Sequence, residues 1–267
     1  MSESKLVPPR ARRNLAPVGE LYLLAAEGLY FLVTDVVRGK FLWREFITRA
    51  WFLANATALP VLLVSTPLGM AIVLQIGGIA GQLGATSYVG AADAIGVLRQ
   101  AAPIVTALLL AGVGGSAICA EFGARTIREE IDAMVVMGIN PIQRLVSPLL
   151  LAALVVSLFL NFLVIFVSVA AGYFFNVAVL HGTQGSFVDS FAQFATGADF
   201  LTSEIKAAVF GVTAAMIASY NGMSARKGPT AVGQAVNRTV VITGLVLFAE
   251  NLVITQVYVA LVPQRTF

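Results

Sequence analysis

Charge is what this sequence has least of. Of 267 residues only 12% are Asp, Glu, Lys or Arg, while 58% are hydrophobic. Soluble domains carry about 25% charged residues. That shortage excludes an ordinary soluble domain, and a mean hydropathy of +0.87 points to an integral membrane protein. The net charge of +3 comes from basic residues dispersed among apolar runs, which excludes nucleic acid as a partner. A single cysteine, Cys119, allows no intrachain disulfide. With one histidine, His181, and scattered carboxylates, no ligand set for a metal is assembled. No Ser/His/Asp set lies at a plausible depth for hydrolase chemistry. No Walker motif is present, so any ATP energy has to come from another subunit.

What is present is a series of long apolar runs. The first nineteen residues, with Lys5, Arg10, Arg12, Arg13 and three prolines, read as a basic cytosolic tail; no apolar core follows them as in a cleavable signal peptide. Residues 20–50 mix apolar side chains with Glu20, Glu27, Asp35, Trp43, Arg44, Arg49 and Trp51. That mixture suits the headgroup zone, so amphipathic interfacial helices are expected, a tilted first span being the alternative. From Leu53 to Ala92 no charge occurs. Five spans are expected at about 54–80, 101–122, 145–175, 203–221 and 239–262, within a domain of residues 51–267. Pro60 and Pro67 should bend the first. Gly77 and Gly81 form a weak GxxxG face, and the run Ala111–Ala117 is thin enough for close helix packing. The architecture expected is an all-α membrane bundle of five spans preceded by interfacial helices.

Orientation follows from the cations. With the N-terminus inside, fourteen of the seventeen Lys and Arg fall on the cytosolic side, and only Arg99, Lys206 and Arg265 fall outside. The positive-inside rule then predicts N-in and C-out, with 123–144 and 222–238 in the cytosol. The first of these loops is charge-dense. Its residues 127–137 have helical periodicity, with Ile127, Ile131, Met134, Val135 and Gly138 on one stripe and Arg128, Glu129 and Asp132 away from it. Gly138 reads as a helix stop and Asn140-Pro141 prevents continuation. Such a helix either docks on a soluble partner or lies as a solvated loop helix on the membrane surface.

Glu250 is placed near the middle of the fifth span, beside Asn251. A carboxylate there costs several kcal/mol unless protonated, hydrated or paired, so it should face the bundle interior or a wet cavity. It is either a structural contact between helices or a point on a substrate pathway. Arg99 and Lys206 are possible partners, with Lys206 and Glu250 sharing one cavity as the specific expectation.

Several runs resemble the MlaE/YrbE family, the permease subunits of Mla- and Mce-type ABC transporters that move lipids across the envelope. They are Arg99–Leu109, Ala111–Ala117, Ala120-Glu-Phe-Gly123, Arg128–Met134, Met137–Ile142, Leu145–Pro148, Ile205–Phe210, Tyr220-Asn-Gly222 and Asn237–Val241. The resemblance implies a bacterial inner-membrane permease for lipids or other hydrophobic substrates. It implies a second permease subunit, a cytosolic ABC ATPase dimer carrying ATP and Mg, and an extracytoplasmic MCE-domain assembly, with no cofactor on this chain. It makes 128–141 the coupling helix, carried by Arg128, Glu129, Glu130, Ile131, Asp132, Met134, Met137, Gly138 and Pro141. Arg99, Gln100, Lys206, Glu250 and Asn251 are the candidates for a substrate pathway, and the resemblance supports that role for Glu250, which stands where the family commonly shows an acidic residue. Where the family often has Arg-Glu before the proline of the second span, this chain has Arg99-Gln100, one charge fewer. An ion-coupled carrier using Glu250, or a lipid-modifying membrane enzyme, are the rival readings.

Overall fold

The computed structural model describes residues 9–39, 41–225 and 228–261. The tail residues 1–8 and the cations Lys40, Arg226, Lys227 and Arg265 lie outside the described residues. Eight helices are described: α1 (Pro9–Val37), α2 (Trp43–Gln82), α3 (Thr86–Ile127), α4 (Glu130–Val136), α5 (Ile142–Ala178), α6 (Gln184–Phe194), α7 (Gly197–Met223) and α8 (Pro229–Leu261). Among the described residues there is no strand. Helices α2, α3, α5, α7 and α8 are long and apolar enough to cross a membrane.

The spans are longer than their uncharged cores. α2 is the clearest case: its 40 residues rise about 60 Å, well beyond a ~30 Å hydrocarbon layer. It begins at Trp43, so residues 43–50 of the expected interfacial segment are continuous with the first span. The break falls earlier, where Gly39 takes φ +66°, and Phe41, Trp43 and Phe46 pack edge to face. The remainder of that segment is α1, which seats Leu24 and Gly28 on the bundle, Gly28 against Val146 and Leu150 of α5. Two of the charges that interrupt its apolar run become anchors. Gln143 Nε2 donates to both Asp35 oxygens at 2.9 Å, and Tyr220 OH donates to Glu20 at 3.0 Å. Tyr22, Leu23, Tyr30 and Val33 stay exposed on the other side.

α2 and α5 make the most extensive helix pair. A Cβ at Gly69 would lie 2.0 Å from the Ser168 carbonyl oxygen, so only glycine lets the two backbones meet. Ser168 Oγ donates across the same contact to the Ser65 carbonyl at 3.0 Å. Gly77 abuts Leu180, whereas Gly81 faces open space, so the GxxxG pair does not act as one face. The core joins Leu53 and Val61 of α2, Val97, Leu110 and Phe122 of α3, Leu149 and Leu160 of α5, and Ala215 of α7. α3 is central, with 61% of its apolar window buried, and α8 is peripheral at 11%.

α3 is not a uniform α-helix. It carries π turns at Val97–Ala101 and Leu110–Gly114. The second falls within the glycine-rich run, where Gly114 and Gly115 are buried against α2, α7 and α8. The first holds Arg99 and Gln100.

Candidate functional site

Two polar clusters lie at opposite ends of the bundle, one beside α4 and one at the start of α7. The α7 cluster is built on the π turn at Val97–Ala101. A π turn adds a residue to a helical turn and re-aims the side chains it carries, and such turns recur at functional sites. Here Arg99 faces α7 and α8. Its guanidinium pairs with Asp199, Nε to Oδ1 at 2.7 Å and Nη2 to Oδ2 at 3.2 Å, and sits 6.0 Å from the centre of the Tyr258 ring.

Asp199 is 2% exposed. It is the third residue of α7 in a reciprocal cap: its amide donates to Thr196 Oγ1 and its carboxylate accepts from the Thr196 amide. The same carboxylate accepts the hydroxyls of Thr196, at 2.7 Å, and Tyr258. About two turns further along α7, Lys206, also 2% exposed, donates to the Arg99 carbonyl and to Thr255 Oγ1, both at 2.9 Å. A π turn disturbs the regular i→i−4 ladder, and the ammonium is the added donor at one of its carbonyls. No carboxylate pairs with Lys206 among the described residues.

These side chains, with Gln100, Thr202, Ile95 and Val259, line a cavity of about 220 Å³. Its fixed charges are Arg99, Lys206 and Asp199, a surplus of one positive charge. The cluster is therefore suited to an anionic group at the mouth of an otherwise apolar bundle.

Arg99, Gln100 and Lys206 line this cavity together, and Asn251 reaches Gln100 at 3.5 Å from one turn below. Glu250 does not join them. Its Oε1 accepts from Thr213 at 2.9 Å and its Oε2 is buried without a hydrogen bond. Thr213 lies seven residues from Lys206, ~10 Å along α7, and Lys206 extends toward Thr255 and away from Glu250. The shared Lys206–Glu250 cavity is not formed. A third polar group joins α5 to α7, where Asn161 donates to Ser203 and Glu204 at 3.0 Å.

At the other end, the helix expected over 127–137 is broken. α3 stops at Ile127, Arg128 leaves the helix, and Glu129 takes the left-handed conformation with φ +60°. α4 then has seven residues, and Gly138 ends it at φ +74° as its position implied. Asn140 Oδ1 accepts from the Ile142 amide and opens α5. The break changes the faces. Ile131 is buried and Met134 packs on the core, but Val135 turns outward with Val136 (88% exposed), Met137 and Ile139. Arg128, Glu129, Asp132 and Gly138 are exposed, and Pro141 is half-buried.

Sequence reasoning missed Asp199, Thr255 and Tyr258 at one end and Arg49, Glu121 and Arg125 at the other. Two short-range signals were available: the Thr196-x-x-Asp199 cap and the Glu121–Arg125 spacing of four.

The fold is that of a multi-pass helical membrane protein with a polar cavity at one end and an exposed apolar tip at the other. The family model for permease MlaE matches residues 46–257, and the chain belongs to that permease family. It is 30% identical over 198 residues to the intermembrane phospholipid transport system permease protein MlaE of Haemophilus influenzae, covering 74% of this chain and 76% of that one. It is 26% identical over 227 residues to a probable ABC transporter permease protein of Rickettsia bellii, covering 85% and 87%. It is also 26% identical over 227 residues to the Arabidopsis thaliana protein TRIGALACTOSYLDIACYLGLYCEROL 1, chloroplastic, spanning 85% of this chain and 65% of the plant protein. The Haemophilus and Rickettsia relatives are named as permeases and not as enzymes.

Proposed function

We propose that this permease is the membrane subunit of an ABC transporter that moves lipids or related hydrophobic molecules across a bacterial envelope. The carrying observation is the tip formed by Val135, Val136, Met137 and Ile139, four apolar side chains held out of the bundle on a short helix flanked by charges. Exposed apolar residues rimmed by charge mark a protein contact. The positive-inside rule supports a cytosolic tip, with the N-terminus inside and the C-terminus outside. The partner there is a cytosolic ABC ATPase dimer, which carries the ATP and Mg, and 128–141 is the coupling segment.

At the opposite face, the cavity around Arg99 and Lys206 receives the anionic headgroup of a lipid while its chains remain in the apolar bundle. The peripheral α8 leaves Val241, Leu245, Phe248 and Leu252 exposed, a face available to a second permease subunit. An extracytoplasmic MCE-domain assembly above the α6 end completes the path, with the whole complex in the inner membrane. The names of the relatives from Haemophilus and Rickettsia support this reading.

The test is purification from native membranes in mild detergent, followed by reconstitution of the complex with a fluorescent phospholipid. An ATPase recovered with the chain, and phospholipid movement that depends on ATP, are expected. Transport driven by an ion gradient with no ATPase bound would refute the reading and favour a carrier built on Glu250.

A further inference from the structure

The ion pairs at the α4 end form a chain that crosses three helices. Arg49 of α2 is 6% exposed. Its Nη1 donates to Glu121 Oε2 at 2.5 Å, and its guanidinium lies 5.9 Å from the centre of the Phe122 ring. The other Glu121 oxygen accepts Arg125 Nε at 3.2 Å and Nη2 at 3.0 Å, one turn along α3. Arg125 Nη1 continues to Glu130 Oε2 at 3.6 Å, and Glu130 is the first residue of α4. Arg128 Nε holds the second Glu130 oxygen at 3.0 Å.

We infer that Glu121 is a positioning residue that ties α4 to the first membrane span. The inference rests on the ATPase-coupled reading above. α4 does not continue α3, because the left-handed Glu129 interrupts the backbone ladder between them. Motion imposed on α4 therefore reaches the bundle through side chains. Ile131 and Met134 transmit it by apolar contact, which is non-directional. The ion chain is directional: both oxygens of Glu121 are engaged, one by each arginine, so displacing Arg125 displaces the counter-charge of Arg49. A guanidinium as buried as Arg49 cannot be left unpaired without a large desolvation penalty. α2 must follow Glu121 or lose its partner. The chain borders a cavity of about 330 Å³, lined also by Glu45, Thr48 and Phe52, which gives these side chains room to shift.

Two variants of the assembled complex separate positioning from charge balance. Glu121→Gln leaves Arg49 without a counter-charge. The double variant Arg49→Gln/Glu121→Gln removes both charges, relieving any folding defect that the single change causes. The complex is reconstituted with a fluorescent phospholipid, and transport per ATP hydrolysed is measured. Hydrogen exchange at residues 43–53 and 130–136 is followed with and without ATP and vanadate.

In both variants the ATPase should stay bound and turn over within about twofold of wild type, while transport per ATP falls roughly 2- to 30-fold, the range for residues that carry coupling. The nucleotide-dependent change at 130–136 should persist and the change at 43–53 should be lost. A double variant with the wild-type ratio would show that the pair only balances charge and would overturn the inference, as would a double variant that no longer assembles. Failure of wild type to retain an ATPase would instead refute the transporter reading.

Discussion

Arg99 and Asp199 form a pair whose two halves differ in burial, and that difference predicts an asymmetry. Asp199 is 2% exposed, whereas the Arg99 side chain is 27% exposed. Removing one member of a buried pair commonly costs 3–5 kcal/mol, because the other is left as an uncompensated charge. In Arg99→Ala the orphan is Asp199, which keeps the hydroxyls of Thr196 and Tyr258. Hydrogen bonds to a charged group contribute about 1.5–3 kcal/mol each, so the loss should fall near or below the low end, about 2–3 kcal/mol. In Asp199→Asn the orphan is Arg99, which reaches the cavity and can be hydrated, and the asparagine oxygen can still accept from the Thr196 amide at the third position of α7. That change should cost about 1 kcal/mol. The gap of about 1–2 kcal/mol is a factor of roughly 5–30 in the folded-to-unfolded ratio. It is read by denaturant-induced unfolding of the two variants in the same detergent. Equal losses, or a larger loss in Asp199→Asn, would refute the assignment of Asp199 as the buried partner.

Four further outcomes follow from other contacts. Lys206→Met keeps the length of the buried side chain without its charge, so the fold should survive; binding of an anionic phospholipid in detergent should weaken by roughly tenfold, in line with one charged hydrogen bond. Gly69→Ala drives a methyl group into the Ser168 carbonyl and should destabilise by at least 1–3 kcal/mol, seen as earlier unfolding in detergent. Reversing charge at Glu129 and Glu130 should lower transport per ATP with the membrane fold intact, and Val136→Asp should weaken retention of the ATPase during purification.

The five spans were legible because their signal is additive: twenty apolar residues in a row outweigh any local exception. The ends of the spans were not. Trp43 to Ala50 carry charges and a tryptophan, which read as a separate interfacial piece, but helix propagation costs little once α2 is nucleated, and the segment stays in register with it. The helix expected over 127–137 was legible in its stop, since Gly138 is the residue a left-handed terminus favours. Its start was hidden, because nothing in Arg128-Glu129 announces that a glutamate will take φ +60°. The cavity was half legible. Arg99 and Lys206 are conspicuous as the only cations of the expected outer half before Arg265. Their partners Asp199, Thr255 and Tyr258 are ordinary residues 49 to 159 positions away from one or the other, brought near only by the packing of α7 and α8. Glu250 misled through depth. Its rarity drew it toward the nearest cation, while a threonine two turns along α7 was the neighbour it met.

The two π turns of α3 carry a consequence for how this helix tolerates change. Each holds one residue beyond the α-helical count and absorbs it locally, so the α segments on either side keep their faces. Deleting one residue between Val97 and Ala101 would convert that turn to α and leave those segments in phase, whereas deleting one from a regular α stretch turns whatever precedes it by ~100° about the axis. Ile95 would stay on the cavity wall and Asp93 beside Gly172, while Arg99 and Gln100, carried on the turn itself, would be re-aimed. A shortening of one residue is therefore absorbed by the helix here and felt in the cavity. Segments of α3 grafted from a relative will keep the cavity when they bring the extra residue at Val97–Ala101.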